Sequence, residues 1–107
     1  SFCDLKSRAQ LEVAPNAMTK TFWGEKMLLS LIEMEPHTEV PTHRHPHEQV
    51  GIVLEGEVLL WIGTEKRLLK SGDCFIIPSN IDHGACTEST HTLIADIFSP
   101  VREDFIY

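Results

Sequence analysis

Several residues of types that bind metal ions are grouped in this sequence. Three histidines at alternate positions precede a glutamine, and a fourth histidine stands about 40 residues downstream: His43, His45, His47, Gln49 and His83. Alternate residues of an extended strand point to the same side, so His43 and His45 can reach one ion together. Pro46 favours an extended or turn conformation at His45, which lets the chain bring Gln49 back toward that ion.

The spacing predicts a site for a divalent transition metal, with His43, His45, Gln49 and His83 as its ligands. Neutral imidazoles suit Zn, Cu, Fe and Ni, a glutamine oxygen can add to them, and the ligand set leaves open which of Ni, Zn, Fe, Mn or Cu binds. The alternative is a solvated loop that happens to be rich in histidine. The metal site is favoured because spacing, flanking strands and the distant fourth ligand agree.

A carboxylate also stands in an apolar run near the carboxyl end. Ile94, Asp96 and Phe98 share one face of the predicted strand. A buried, unpaired aspartate is unfavourable, so Asp96 should have a partner or face a wet cavity. Arg102 is a candidate partner, or a clamp for a substrate carboxylate. Periodicity alone leaves equally open an edge-strand aspartate facing water and a surface arginine.

The elements that would position these residues are short β-prone runs separated by turn residues. The predicted strands are Leu11–Ala14, Thr19–Trp23, Lys26–Glu35, Gln49–Leu54, Glu57–Ile62, Glu65–Leu69, Cys74–Ile77 and Thr92–Phe98. Many short strands at this spacing indicate an antiparallel sandwich or barrel. Gly56 and Gly72 are expected in turns because glycine tolerates positive φ.

Length and charge narrow the class of protein. The 107 residues predict one domain, 1–107, and the net charge of −7 without a Lys/Arg run argues against a nucleic-acid partner. No apolar stretch approaches the roughly 20 residues that span a bilayer, and the first residues do not resemble a signal peptide. The three cysteines, Cys3, Cys74 and Cys86, are odd in number and widely spaced, which predicts reduced thiols in a cytoplasmic protein.

Some predicted strands are apolar on both faces, for example Met27–Ile32 and Val58–Ile62. One face can fill a barrel, and the other then needs a cover. We expect a homodimer to supply it, with residues 1–22 as an amino-terminal extension at the interface. The alternative is that the segment Leu5–Phe22 folds over this face within one chain.

The metal pattern resembles the two sequence motifs of the cupin family. The first family motif carries H-x-H, a third ligand that is usually Glu, and a glycine, like His43, His45, Gln49 and Gly56. The second carries Gly, Pro and the last His, like Gly72, Pro78 and His83. Gln49 stands where Glu is usual, which leaves the ion its full charge. The resemblance implies an all-β fold, a cupin double-stranded β-helix or jelly-roll barrel, with the metal inside.

A narrower resemblance runs from about Phe22 to Phe105. The tail from Asp96 to Phe105 is similar to the D-x-F-x-P-P-R-E-D-F of small cupins from pectin and alginate breakdown, with Val101 in place of the second proline. These cupins share the H-x-H-P-H-E-Q centre and an opening like Trp23-Gly24-Glu25. They convert 4,5-unsaturated uronates to linear 5-keto-4-deoxyuronates.

This resemblance implies a role for each candidate residue. The family's metal ligands correspond to His43, His45, Gln49 and His83, and its functional residues to Asp96, Phe98 and Arg102. Asp96 would shuttle a proton as general acid/base, Arg102 would hold the uronate carboxylate and Phe98 would wall the pocket. His47 is expected to be a pocket residue near the metal site.

The fold does not choose the reaction, because cupins host many. A metal-dependent dioxygenase or lyase acting on another small molecule is one alternative, and turnover that consumes oxygen would favour it. A non-catalytic sugar-binding or sensing module is another, which would bind ligand without turnover.

Overall fold

The computed structural model describes all 107 residues, and its regular structure is almost entirely β-strand. The strands are β1 (Leu11–Ala14), β2 (Ala17–Trp23), β3 (Leu28–Met34), β4 (Glu39–His43), β5 (Glu48–Glu55), β6 (Glu57–Ile62), β7 (Glu65–Lys70), β8 (Cys74–Ile77), β9 (His83–Cys86) and β10 (Thr92–Ser99), followed by a 3₁₀ turn at Glu103–Phe105. No helix is long and apolar enough to cross a membrane.

The strands form two sheets in which every paired neighbour is antiparallel. The larger sheet has the order β1-β2-β3-β10-β5-β8, and the smaller has the order β4-β9-β6-β7. The main core contains buried side chains from both sheets, among them Met34, Val53, Val58, Leu60, Leu69 and Ile94. The predicted all-β jelly roll is confirmed.

All eight predicted strands are present, with ends that differ by at most two residues. The predicted turn glycines Gly56 and Gly72 have φ values of 78° and 93°. At Gly56 a Cβ would also lie 2.2 Å from the carbonyl oxygen of His91, so only glycine fits there without a shift.

The strands of the amino-terminal segment do not cover the outer face of the larger sheet. Instead β1 and β2 extend the edge of that sheet, and Val13 packs against the main core. The alternative in which Leu5–Phe22 folds over the apolar face does not hold for residues 11–22, because backbone pairing places them beside the sheet. Residues 5–10 form no strand, and Arg8 lies over one end of this face, with its guanidinium carbon 6.0 Å from the ring centre of Phe22.

The uncovered outer face carries an apolar row that crosses five strands. Directly paired positions place Phe22, Leu29, Ile97, Val50 and Ile76 next to one another. Four of them are exposed, from 37% for Val50 to 64% for Ile76. We call these five residues the outer apolar row.

Candidate metal centre and active site

Two strands of the smaller sheet bring the distant histidines together. His43 is the last residue of β4, His83 is the first of β9, and the two are directly paired across the strands. His45 lies beyond the end of β4, in a loop and not on an extended strand with His43 as its spacing suggested. One potential ligand atom from each of His43, His45 and His83 lies within 4.8 Å of the others.

Backbone and side-chain contacts hold the loop that follows β4 against the loop that precedes β9. The amide of Asn80 donates a hydrogen bond to the carbonyl oxygen of His45, at 2.9 Å. Arg44 and Asp82, which each stand beside a clustered histidine, form an ion pair at 2.8 Å. Both side chains are more than half exposed, so the pair adds orientation more than stability.

Each clustered imidazole has one ring nitrogen bonded to a backbone carbonyl. The Nδ1 atoms of His43, His45 and His83 lie 2.8, 2.9 and 2.8 Å from the oxygens of Pro41, His47 and Ile81. A carbonyl only accepts, so each neutral ring carries its proton on Nδ1 and has its Nε2 lone pair free. Carbonyls that fix the tautomer in this way are typical partners of metal-ligating histidines.

The clustered lone pairs have no protein donor to satisfy them. Nε2 of His83 is buried and has no hydrogen-bond partner. Oε1 of Gln49 lies 3.2 Å from Nε2 of His45, and in the tautomer above both atoms are acceptors that repel each other. A cation would remove both problems, and imidazole nitrogens with an amide oxygen suit a divalent transition metal.

Burial keeps two of these imidazoles in the neutral form that binds metal. It lowers the pKa of His83 to about 4, and the charges of His43, His45 and Arg102 act in the same direction. Burial, followed by the Arg102 charge, also lowers the pKa of His45. At neutral pH both rings therefore carry no proton that they would have to release before binding a metal ion through Nε2.

Asp96 lies on the inner face of β10, close to the histidine cluster. Its side chain is buried, and Oδ1 has no hydrogen-bond partner. Burial raises its pKa to about 7, while the Gln49 amide and the Arg102 charge act in the opposite direction. A carboxyl group with this pKa is present in both protonation states near neutral pH, as a general acid/base requires.

Gly51 makes the room that the Asp96 carboxylate occupies. It pairs with Asp96 on one side and with Phe75 on the other. A Cβ at Gly51 would lie 2.4 Å from Oδ1 of Asp96 and 2.3 Å from Cζ of Phe75. Sequence reasoning missed this position, although a glycine within a strand is a known signal of close approach.

One cavity of about 70 Å³ connects the candidate residues. Six of the seven predicted site residues line it: His43, Gln49, His83, Asp96, Phe98 and Arg102. The seventh, His45, is buried, and its ring contacts two residues that line the cavity, the amide oxygen of Gln49 and the ring of His83. Most of the remaining lining is apolar, including Ile32, Leu60 and Ile94. The cavity therefore joins lone-pair donors, a carboxyl group and a guanidinium within apolar walls.

Arg102 is not the ion-pair partner of Asp96 that its position suggested. Its Nε donates to Oδ1 of Asp104 at 3.0 Å, because the tail turns after Arg102 and brings that carboxylate back. Its guanidinium carbon lies 4.0 Å from the ring centre of Phe105 and 5.1 Å from that of Phe98. The two terminal nitrogens make no hydrogen bond within the protein, so they are available to a carboxylate ligand.

Comparison of the sequence with known families assigns the chain to one of them. Residues 30–97 match the Cupin domain profile, which is more than half of the chain. The protein belongs to the cupin family.

Two relatives in sequence carry functional names. The chain is 29% identical over 85 residues to the pectin degradation protein KdgF of Dickeya dadantii, covering 78% of this chain and 77% of that protein. It is 35% identical over 71 residues to the H2HPP isomerase of Bacillus subtilis, covering 65% of this chain but only 29% of that longer protein.

Two solved structures match nearly the whole fold. KdgF from a Halomonas species has a TM-score of 0.91 and 28% identity, with 99% of this chain and 100% of that chain covered. An RmlC-like cupin from Shewanella frigidimarina has the same TM-score and identity, with 98% and 95% covered. The predicted likeness to cupins of pectin degradation is confirmed.

Proposed function

We propose that this cupin opens the ring of 4,5-unsaturated uronates to give linear 5-keto-4-deoxyuronates, with a divalent metal held by His43, His45, Gln49 and His83. The observation that carries the proposal is Asp96, a buried carboxyl group with a free oxygen in the same cavity as the clustered imidazoles. The likeness to two KdgF proteins, one described as a pectin degradation protein, supports this substrate class.

In the proposed reaction Asp96 moves one proton. Its carboxylate takes the proton of the anomeric hydroxyl while the bond between C1 and the ring oxygen breaks. C1 becomes an aldehyde carbon, and the released ring oxygen remains on C5 as an enolate. The protonated Asp96 then gives a proton to C4, which leaves a ketone at C5. All atoms are retained, so the reaction is an isomerisation and needs no oxidant.

The other residues hold the substrate during this transfer. The free terminal nitrogens of Arg102 bind the uronate carboxylate through paired hydrogen bonds. Phe98, which is buried and lies under Arg102, orients the sugar ring against the cavity wall. The metal ion would supply positive charge that stabilises the enolate oxygen.

A second candidate is an isomerase or other metal-dependent cupin enzyme for a less polar molecule. It is favoured by the apolar lining of the cavity, which a hydroxylated sugar does not require, and by the similarity to the H2HPP isomerase. A dioxygenase or lyase and a non-catalytic sugar-binding cupin are further alternatives on the same scaffold.

Assembly and location belong to the same proposal. Two chains associate through the outer apolar row, which would remove its exposed side chains from water. Residues 1–22 lie near that interface, since Phe22 belongs to the row. We place the protein in the cytoplasm, where it would act on single sugar units released by polysaccharide breakdown.

The test is incubation of the metal-loaded protein with a 4,5-unsaturated uronate. Loss of ultraviolet absorbance from the conjugated double bond should be faster than the spontaneous reaction, without oxygen uptake. Oxygen consumption that matches turnover would point to the dioxygenase. Binding of the sugar with no acceleration would point to the binding module.

A further inference from the structure

His47 lies between the histidine loop and the carboxyl-terminal tail. It is buried, yet its ring is neither in the histidine cluster nor in the cavity lining. Its carbonyl oxygen accepts the hydrogen bond from Nδ1 of His45 at 2.9 Å. Its Nε2 lies 3.3 Å from Oε2 of Glu103, and its Nδ1 has no partner. One residue therefore contacts both a metal-ligand ring and the tail.

The tail that Glu103 belongs to also carries the carboxylate clamp. Glu103 follows Arg102 directly, and the amide of Phe105 donates to the carbonyl of Arg102 at 3.0 Å. Thr21 donates to the carbonyl of Phe105 at 2.6 Å, which fixes the far end of the turn. Because the Arg102 guanidinium lies over the Phe105 ring, the backbone of this turn sets where the guanidinium points.

We infer that His47 is a positioning residue that couples the metal-ligand loop to the Arg102 tail through Glu103. This contact sets the separation between the metal centre and the carboxylate clamp, and so selects ligands whose carboxylate lies at that separation from the reacting oxygens. The inference rests on the proposed function for its ligand, but the coupling itself is a property of the contact.

The chain contains a matched control for this contact. His91 and Glu33 form a second histidine–glutamate contact of the same length, 3.3 Å. Both of its side chains are close to half exposed, and neither lines the cavity. Substitutions there remove the same chemical groups without touching the tail.

The experiment is a double-mutant cycle on the metal-loaded full chain. His47→Phe and Glu103→Ala should each raise KM for the unsaturated uronate by up to ~5-fold, the usual limit for a contact with an exposed carboxylate. The double variant should raise KM no further than either single variant, because all three lack the same contact. Metal content and kcat should stay near wild type, and Arg102→Ala should mark the upper limit of the KM effect.

Several results would overturn the inference. One is additive effects of His47→Phe and Glu103→Ala, which would mean that each residue acts independently. Another is an unchanged KM, or the same change in the controls His91→Phe and Glu33→Ala. Loss of metal in Glu103→Ala would also contradict it, since Glu103 should act on the tail alone.

A second readout does not depend on turnover. The Phe105 amide should exchange its hydrogen faster in both variants, by a similar factor, because its bond to the Arg102 carbonyl opens more often. The controls should exchange like wild type, and unchanged exchange in His47→Phe would refute the coupling. Faster exchange in a protein that fails to convert the uronate would retain the coupling and reject the proposed reaction.

Discussion

At the scale of single residues, the arrangement of ring protons explains why these histidines can act as ligands. Each clustered imidazole donates a hydrogen bond from Nδ1 to a backbone carbonyl, so three Nε2 lone pairs remain close together, two of them on buried rings. The Gln49 oxygen adds a further acceptor beside them. Such a group of acceptors is unfavourable until a cation is added, which makes metal binding part of the stability of the site.

Removing two of the clustered histidines should strip the metal while leaving the fold. The double variant His43→Ala/His83→Ala removes two of the four ligands, and the core between the sheets does not depend on either ring. We expect elemental analysis to find less than a tenth of the wild-type metal content, with an unchanged circular dichroism spectrum. The matched double variant His37→Ala/His91→Ala should keep its metal. Full occupancy without His43 and His83 would refute the ligand assignment.

Asp96 should give the metal-free protein a characteristic dependence of stability on pH. Its pKa is raised from 3.8 to about 7 on folding, so stability falls as pH rises between these values. The lowered pKa of His83 acts oppositely, since stability is lost as pH falls from 6.5 toward about 4. Relative to wild type, Asp96→Asn should therefore gain stability with rising pH and level off above about 7. Urea unfolding of the chelator-treated proteins measures this, and a difference that does not vary with pH would contradict it.

At the scale of elements, the site depends on paired strands in which a residue without a side chain leaves room for its neighbours. Gly51 is the clearest case, because Asp96 and Phe75 both occupy the space that its missing Cβ leaves. Gly51→Ala should lower the free energy of unfolding by about 1–3 kcal/mol, as overpacking does, and should lower kcat by displacing the carboxylate.

A glycine outside the site provides the control for Gly51. Nothing lies within 4 Å of a Cβ built at Gly24, so Gly24→Ala should change stability by less than about 0.5 kcal/mol. Denaturant unfolding and the uronate assay measure both variants. Equal behaviour of the two alanine variants would mean that close packing at Gly51 does not position Asp96.

The same scale shows what the sequence could and could not predict. Alternating and apolar runs predicted eight strands and the inner face that carries Asp96, because burial on one face leaves a regular pattern. The strands β4 and β9 were missed, since Pro41 interrupts one and His-Gly-Ala-Cys has little β-propensity. They form because β4 pairs with β9 and β9 pairs with β6, which is information that no local pattern contains. The placement of the Arg102 guanidinium over the Phe105 ring also depends on how the chain folds and not on a local sequence pattern.

At the scale of the whole molecule, the outer apolar row is an apolar surface that a single chain leaves in contact with water. Four of its five residues are exposed, and they lie directly opposite one another on the larger sheet. We expect a hydrodynamic mass of twice the 12.1 kDa of one chain at micromolar concentration. Ile97→Glu should halve that mass by placing a charge in the apolar contact.

The control for this assembly lies on the other sheet. Leu68 is an exposed leucine of β7, and Leu68→Glu adds the same charge away from the outer apolar row. Sedimentation velocity should find this variant dimeric. A monomeric wild type, or a dimer that only Leu68→Glu dissociates, would contradict the proposed interface.

The central claim is that Asp96 transfers the proton when an unsaturated uronate opens in this cavity. Proton NMR with the metal-loaded protein in deuterated water follows both loss of the C4 vinyl signal and deuterium at C4. We predict acceleration over the spontaneous reaction by wild type, and a rate lower by a factor of ~10²–10⁴ for Asp96→Asn with metal content and fold retained. A wild-type rate no better than the spontaneous one, or an Asp96→Asn rate equal to wild type, would contradict the account.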